Sequence, residues 1–179
     1  MSARAQTVPD RVPPREDWPE PTARTEAGTL LTELIVATFR LNGRLLDAAQ
    51  GLAAEGGITA ARWQVLGGVL DEPRSVADIG RLMGMSRQGV QRVADLLVEH
   101  GLAEYRPNPA HRRAKLLACT EAGYWAIRRI AVAQHPWADR IAAELGAHAL
   151  QDALTTTRRL TAVLEADETA RPAELSARG

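Results

Sequence analysis

Arg87, Gln88, Gln91 and Arg92 lie within six consecutive positions and carry the chemistry that most constrains this sequence. Arginine presents a planar fork of N–H donors, and glutamine an amide with donor and acceptor side by side. These groups form paired hydrogen bonds with guanine and adenine edges in the major groove of duplex DNA. On a helix begun by Ser86, Val90, Val93 and Leu97 share one face, which leaves the two arginines and two glutamines on the other. Gly89 lies among them; having no side chain, it permits close approach to a base or backbone, and it is equally a residue tolerated near a helix start. Ser75 and Ser86 are helix caps by type and position, and the same hydroxyls, or the helix N-termini beside them, suit a phosphate oxygen. Arg112 and Arg113 form a second basic pair in a polar loop, where an arginine enters a minor groove, pairs with phosphate or is simply solvated.

The charge balance supports a localised basic patch. The 179 residues have a formal net charge of zero, yet the segment from Arg74 to Lys115 holds eight basic and four acidic residues, a net of +4 that leaves the remainder at −4. That asymmetry fits a protein with one face toward phosphate and a repelled bulk, although a solvated charged face carries the same signature. A single cysteine, Cys119, excludes an intrachain disulfide and a Cys-rich metal framework, and a reducing, cytoplasmic setting is expected. No apolar run follows the N-terminal charges and none reaches membrane-spanning length, so neither a signal peptide nor a membrane span is expected.

The elements that must position these residues follow from periodicity and caps. Residues 1–28 contain Pro9, Pro13, Pro14, Pro19 and Pro21 with Trp18 as the one large apolar group, and read as a flexible or loosely docked extension. Leu31, Leu34, Ile35, Leu41, Leu45, Ala49 and Leu52 keep helical spacing over 29–55, ended by Gly56-Gly57. Thr59 caps a second helix carrying Trp63, Leu66, Val69 and Leu70, closed before Pro73. Ser75 caps a short helix, Gly84 turns the chain, and Ser86 caps the helix that runs to His100-Gly101. Two strands, Leu102 to Tyr105 and Ala114 to Ala118, flank a proline-stiffened basic loop and form a hairpin. Thr120 caps a helix to about Leu145 with Pro136 as its kink or break, and a last helix, from about Ala147, places Leu150, Leu154, Leu160 and Leu164 on one side. The segment 166–179 reads as a polar, flexible tail.

Helix, glycine turn, helix and hairpin in this order describe an all-α domain with a small β-wing. The run Ser75-Val76-Ala77-Asp78-Ile79-Gly80-Arg81-Leu82-Met83-Gly84-Met85-Ser86 resembles the DNA-binding lobe of the MarR family. So do Leu96-Leu97-Val98-Glu99-His100-Gly101-Leu102, Arg112-Arg113-Ala114-Lys115-Leu116 and Thr120-Glu121-Ala122-Gly123, with Trp63-Gln64-Val65-Leu66 matching the family's second helix. The resemblance spans about 29–165 and implies a winged helix-turn-helix lobe over 58–119 and a triangular homodimer made by the terminal helices 29–55 and 121–165. The implied partner is a pseudo-palindromic DNA operator, read by Ser75, Ser86, Arg87, Gln88, Gln91, Arg92, Arg112 and Arg113. The apolar stripes of the terminal helices agree with a dimer, exceeding what one small domain needs to bury. The chain departs from the family in having His111 and Asn108 where acids that orient the wing arginines are common, and in its longer proline-rich extension. Some members use such an extension as an extra helix, and Trp18 would be its anchor.

The resemblance also implies a repressor whose grip on DNA is loosened by a small aromatic acid or phenol in a crevice lined here by Phe39, Arg40, Arg44, Trp63 and His135. Trp63 equally matches a core position, and Arg40 with Arg44 equally forms a solvated face. Cys119 reads as a small buried apolar residue without redox chemistry. The histidines are scattered and no phosphate loop or nucleophile elbow is present, so no catalytic residue, metal site or cofactor is expected. Alternatives are an activator, or a winged-helix module acting through protein contacts, which would not need bases in both the groove-facing and the wing positions.

Overall fold

The computed structural model describes residues 12–111 and 114–177, the last ten as backbone alone. They belong to two compact units, one ending at Arg44 and the other beginning at Leu45.

In the first unit a 3₁₀ turn spans Arg15–Asp17. Trp18 closes on it: its Nε1 donates to the Pro13 carbonyl at 2.9 Å, and the Arg15 guanidinium lies 5.6 Å from the ring centre. Trp18 thus packs on its own turn rather than anchoring an extra helix. Helix α1, Glu26–Glu55, begins in this unit and ends in the second. It starts three residues before the expected Thr29 because the Thr25 hydroxyl accepts from the Gly28 amide at 3.0 Å and so supplies a cap. None of the described residues up to Arg44 is buried.

The second unit contains α2 (Ala60–Gly67), β1 (Arg74–Ser75), α3 (Val76–Met83), α4 (Arg87–Glu99), β2 (Ala103–Arg106), β3 (Leu116–Cys119), α5 (Glu121–Leu145) and α6 (Ala147–Ala177). Each expected cap forms. Thr59, Ser75, Ser86 and Thr120 accept from the amides of Arg62, Asp78, Gly89 and Gly123, every one three residues on. Gly84 takes the left-handed conformation at φ 63°, which lets the chain turn sharply between α3 and α4.

The sheet has one strand more than expected. β3 lies between β1 and β2, both antiparallel to it, with Tyr105 opposite Leu117 on one side and Arg74 opposite Leu117 on the other. β1 is only two residues long and leads directly into α3. Leu66, Ile79, Val90, Leu97, Leu117 and Ile130 form the buried centre on which α2, α3, α4, β3 and α5 converge. Among the described residues, every buried one lies between Ala53 and Ile130.

Two expectations for the C-terminal half are narrowed or corrected. α5 continues as helix through Pro136, so of the kink or break expected there the break does not form. The segment 166–179, expected as a flexible tail, continues α6 as far as Ala177; loss of the apolar stripe removes a packing face but not the helix propensity of Ala166 and its neighbours. Among the described residues no helix is long and apolar enough to cross a membrane.

Candidate nucleic-acid interface

α4 sorts its residues as its periodicity requires. Val90, Val93, Ala94 and Leu97 are buried, and Arg87, Gln88, Gln91 and Arg92 are all exposed. The helix is held at its start by Ser86 and at its base by α3, where Gly80 gives the closest approach: a β-carbon there would meet the Met85 carbonyl oxygen at 2.8 Å. Gly89 has a local reason of the same kind, since a β-carbon would lie 3.0 Å from the Ser86 hydroxyl that caps the helix.

The cations differ in what they already hold. Arg74 pairs with Glu72 at 2.9 Å and donates to the Gly68 carbonyl at 2.6 Å, which makes it a tie between α2 and β1. Arg81 pairs with Asp78, and Arg106 with Glu104 at 2.7 Å. Asp78 also accepts from the Ser75 hydroxyl at 2.6 Å, and this bond, with Arg81 close by, holds its carboxyl below the ordinary value. Among the described residues Arg87 and Arg92 take part in no ion pair, so their guanidinium groups remain available to a negatively charged partner.

A polar cleft of about 390 Å³ opens beside α4, lined by Ser75, Val76 and Ala77 at the start of α3, by Arg87, Gln91 and Asp95, and by Tyr105, Ala114 and Lys115 of the hairpin. Here the structure adds a partner for Gln91 that its own helix does not supply. Its Nε2 donates to Asp95 Oδ1 at 2.9 Å and to Tyr105 Oη at 2.8 Å, and Tyr105 Oη donates to the same Asp95 oxygen at 2.8 Å. The Gln91 amide nitrogen is therefore turned toward Asp95 and the hairpin rather than standing free. Lys115 sits 5.8 Å from the centre of the Tyr105 ring. Partial burial, reinforced by Asp95, pushes the Tyr105 phenol up to about 12, so it stays a hydrogen-bond donor at neutral pH.

Asp95 and Tyr105 were absent from the sequence-based site. The four-residue spacing of Gln91 and Asp95 on one helix was the available signal; Tyr105 joins them only through the fold. Arg112 and Arg113 lie outside the described residues. Beside them the hairpin loop is tightened by Asn108, whose Oδ1 accepts from the Ala110 amide at 2.9 Å.

The residues expected at a ligand site are distributed between the units. In the first, Arg40 and Arg44 line a shallow groove of about 630 Å³ along α1 with Thr32, Glu33, Val36, Ala37 and Leu41; Phe39 is exposed and does not line it. In the second, Trp63 packs against the core and His135 is exposed on α5. Cys119 is buried, and burial, with Glu121 adding to it, pushes its thiol up to about 11. Among the described residues no three His, Cys, Asp or Glu side chains gather as a metal site would require.

Residues 56–114 match the model of the MarR family. An uncharacterised protein of Mycobacterium tuberculosis is 39% identical over 137 residues, covering 76% of this chain and 96% of the relative. The chain belongs to the MarR family. Solved structures agree on the fold. BldR of Sulfolobus solfataricus, described as a transcriptional regulator, superposes with a TM-score of 0.65 at 13% identity, over 76% of this chain and 99% of that one. Staphylococcus aureus MarR, solved with salicylate and kanamycin, gives 0.63 at 13% identity, over 78% and 95%. In this MarR-family chain α3, α4 and the β2–β3 hairpin are the winged helix-turn-helix.

Proposed function

We propose that this MarR-family protein is a homodimeric, sequence-specific DNA-binding regulator, a repressor that releases a pseudo-palindromic operator when a small aromatic or phenolic acid binds. The observation that carries the DNA reading is the exposed face of α4. Among the described residues Arg87 and Arg92 stand there without acidic partners, next to Gln88, on a helix whose opposite face is anchored in the core. α4 presents to the major groove; the N-termini at Ser75 and Ser86 meet phosphate, and Arg112 and Arg113 of the hairpin reach the flanking backbone or minor groove.

Dimerisation is supported by uncovered apolar side chains in each unit. Leu31, Leu34 and Ile35 of α1 are exposed, and so are Ile141, Leu145, Leu150 and Leu154 of α5 and α6. A two-fold dimer presents two copies of α4 to half-sites about one DNA turn apart. Ligand response is supported by the α1 groove, where Arg40 and Arg44 accompany Val36, Ala37 and Leu41, a pairing of cations with apolar wall that suits an aromatic carboxylate.

The test is binding of the purified protein to the DNA upstream of its own gene, against a scrambled duplex at fixed near-physiological salt. Tight, selective binding as a dimer is expected, with salicylate weakening it. Equal, weak binding to the upstream DNA, the scrambled duplex and sites drawn from a random pool would overturn the regulator reading in favour of a protein-binding module.

A further inference from the structure

Lys115, at the start of the returning strand of the hairpin, is a cation without an assigned role. It is exposed, and among the described residues it takes part in no ion pair. Its Nζ lies 5.8 Å from the centre of the Tyr105 ring, within reach of the attraction between an ammonium group and an aromatic face. That ring is held from two sides: Tyr105 pairs with Leu117 across the hairpin, and its hydroxyl donates to Asp95 Oδ1 on α4 at 2.8 Å. The hairpin thereby brings Lys115 to the cleft of about 390 Å³ that Arg87 lines from α4. Two cations without ion pairs thus reach one cleft from two different elements. Among the described residues lining it, Asp95 is the only acid, and its Oδ1 already accepts from Tyr105 and Gln91, so the cleft keeps a positive balance.

We infer that Lys115 and Arg87 hold one backbone phosphate of the operator between them, Lys115 from the hairpin and Arg87 from α4. This rests on the DNA reading above and deepens it, because the groove-facing helix and the hairpin then share a contact where they meet. A phosphate is the group that fits. A guanine edge presents its two acceptors side by side to a single side chain, whereas a phosphate carries oxygens in several directions and is met from two walls at once. The two side chains also divide the work: the arginine fork sets direction, and the lysine ammonium adds a compact charge. Tyr105 touches no phosphate in this arrangement. It is a positioning residue, whose ring keeps the Lys115 ammonium beside the cleft.

The experiment lets the full-length protein select a site from a randomised duplex pool, then replaces the phosphates of that site one at a time by neutral methylphosphonates. Wild type, Lys115→Ala, Lys115→Arg, Arg87→Ala and Tyr105→Leu are compared, each with its thermal unfolding checked. In wild type, neutralising one particular phosphate per half-site weakens binding. Lys115→Ala and Arg87→Ala bind more weakly, lose their response at that same phosphate and keep it at the others, while Lys115→Arg retains it. Between about 50 and 200 mM salt each alanine variant loses about three-fold less affinity per half-site than wild type does, the value of one phosphate contact. Tyr105→Leu, which removes the ring beneath the ammonium, takes on the Lys115→Ala profile. A general disturbance of the hairpin would instead lower the response at several phosphates together. The inference is overturned if Lys115→Ala leaves both salt dependence and phosphate profile unchanged, or if Lys115→Ala and Arg87→Ala silence different phosphates. Inorganic phosphate added without DNA tests a free anion as the occupant, and no rise in melting temperature is expected. A rise in wild type that Lys115→Ala abolishes, with the salt dependence of DNA binding unchanged, would also overturn it. Selective binding by wild type in any of these cases would leave the DNA reading standing, whereas absence of selection by wild type would remove both.

Discussion

The Thr120 hydroxyl donates to the Gly101 carbonyl oxygen at 2.7 Å, joining the start of α5 to the turn that ends α4. The Thr120 hydroxyl oxygen also accepts from the Gly123 amide at 3.2 Å and so caps α5, while the Thr120 amide donates to the Leu102 carbonyl. Gly123 completes the corner, since a β-carbon on it would run into the Leu102 carbonyl oxygen and lie 2.7 Å from Cys119 Sγ. The corner fixes how the end of the α4 helix enters the hairpin.

Substitution at this corner is therefore expected to be costly in a graded way. Thr120→Val loses the cap and the Gly101 bond and destabilises by about 2 kcal/mol, whereas Thr120→Ser keeps both and stays near wild type. Gly123→Ala meets backbone, which moves less readily than a side chain, and costs about 3 kcal/mol or more. At about 2–4 °C of melting temperature per kcal/mol for a chain of this size, calorimetry separates the three. A Gly123→Ala protein as stable as wild type would contradict the close approach.

Arg87 and Arg92 differ from Arg81 in having no acidic partner among the described residues. Replacing either with alanine is expected to lower operator affinity, and loss of a phosphate contact reduces the salt slope by about one; Arg112→Ala should do the same if the hairpin tip meets phosphate. Arg81→Ala, which removes a cation already matched by Asp78, should change the slope far less. Fluorescence anisotropy at four or five salt concentrations measures this. An undiminished affinity in the Arg87→Ala/Arg92→Ala double variant would remove α4 from the interface.

These contrasts also show which parts of the protein are readable from sequence. The caps at Thr59, Ser75, Ser86 and Thr120 are readable because a hydroxyl and the amide three residues on form a local unit, and the buried face of α4 because helical period alone sorts Val90, Val93 and Leu97. β1 is not, because Arg74 and Ser75 become a strand only through pairing with Leu117 and Leu116 more than forty residues on. Gln91 is only partly readable for the same reason: its residue type and exposure single it out, and the partner that engages it, Tyr105, arrives from another element. The end of α6 escapes a reading based on apolar stripes, since a helix with little to bury leaves no stripe to follow.

Cys119 gives a prediction in pH. Its thiol is raised from 9.0 to about 11 in the folded protein, so at neutral pH almost no thiolate is present and reaction with a disulfide reagent should be slow until urea unfolds the chain. The folded state holds the proton more tightly than the unfolded one. Stability from this group is therefore complete below about pH 9 and is lost as pH rises toward 11, on the order of 2 kcal/mol in all. Tyr105, raised from 10.0 to about 12, extends the decline to higher pH. Urea midpoints between pH 8 and 11 should fall, and Cys119→Ala should flatten the portion between 9 and 10. Rapid labelling of native Cys119 at pH 7 would contradict its burial.

The apolar side chains of α5 and α6 make the last prediction. Among the described side chains none from Ala131 to Asp167 is buried, yet Ile141, Leu145, Leu150 and Leu154 occur there at helical spacing and stand exposed. A helix pair with that much uncovered apolar surface is stabilised by covering it, and a second copy of the chain offers the same stripe in a self-complementary arrangement. Light scattering at micromolar concentration is expected to report a dimer for wild type and a monomer for Leu150→Glu/Leu154→Glu. The variant lobe should remain folded, because every buried residue among those described lies between Ala53 and Ile130; its operator affinity should fall steeply, since two recognition helices are no longer tied together and each half-site is bound alone. A variant that stays dimeric would place the contact elsewhere, on the exposed Leu31, Leu34 and Ile35 face of α1, where Leu34→Glu would then be the decisive substitution.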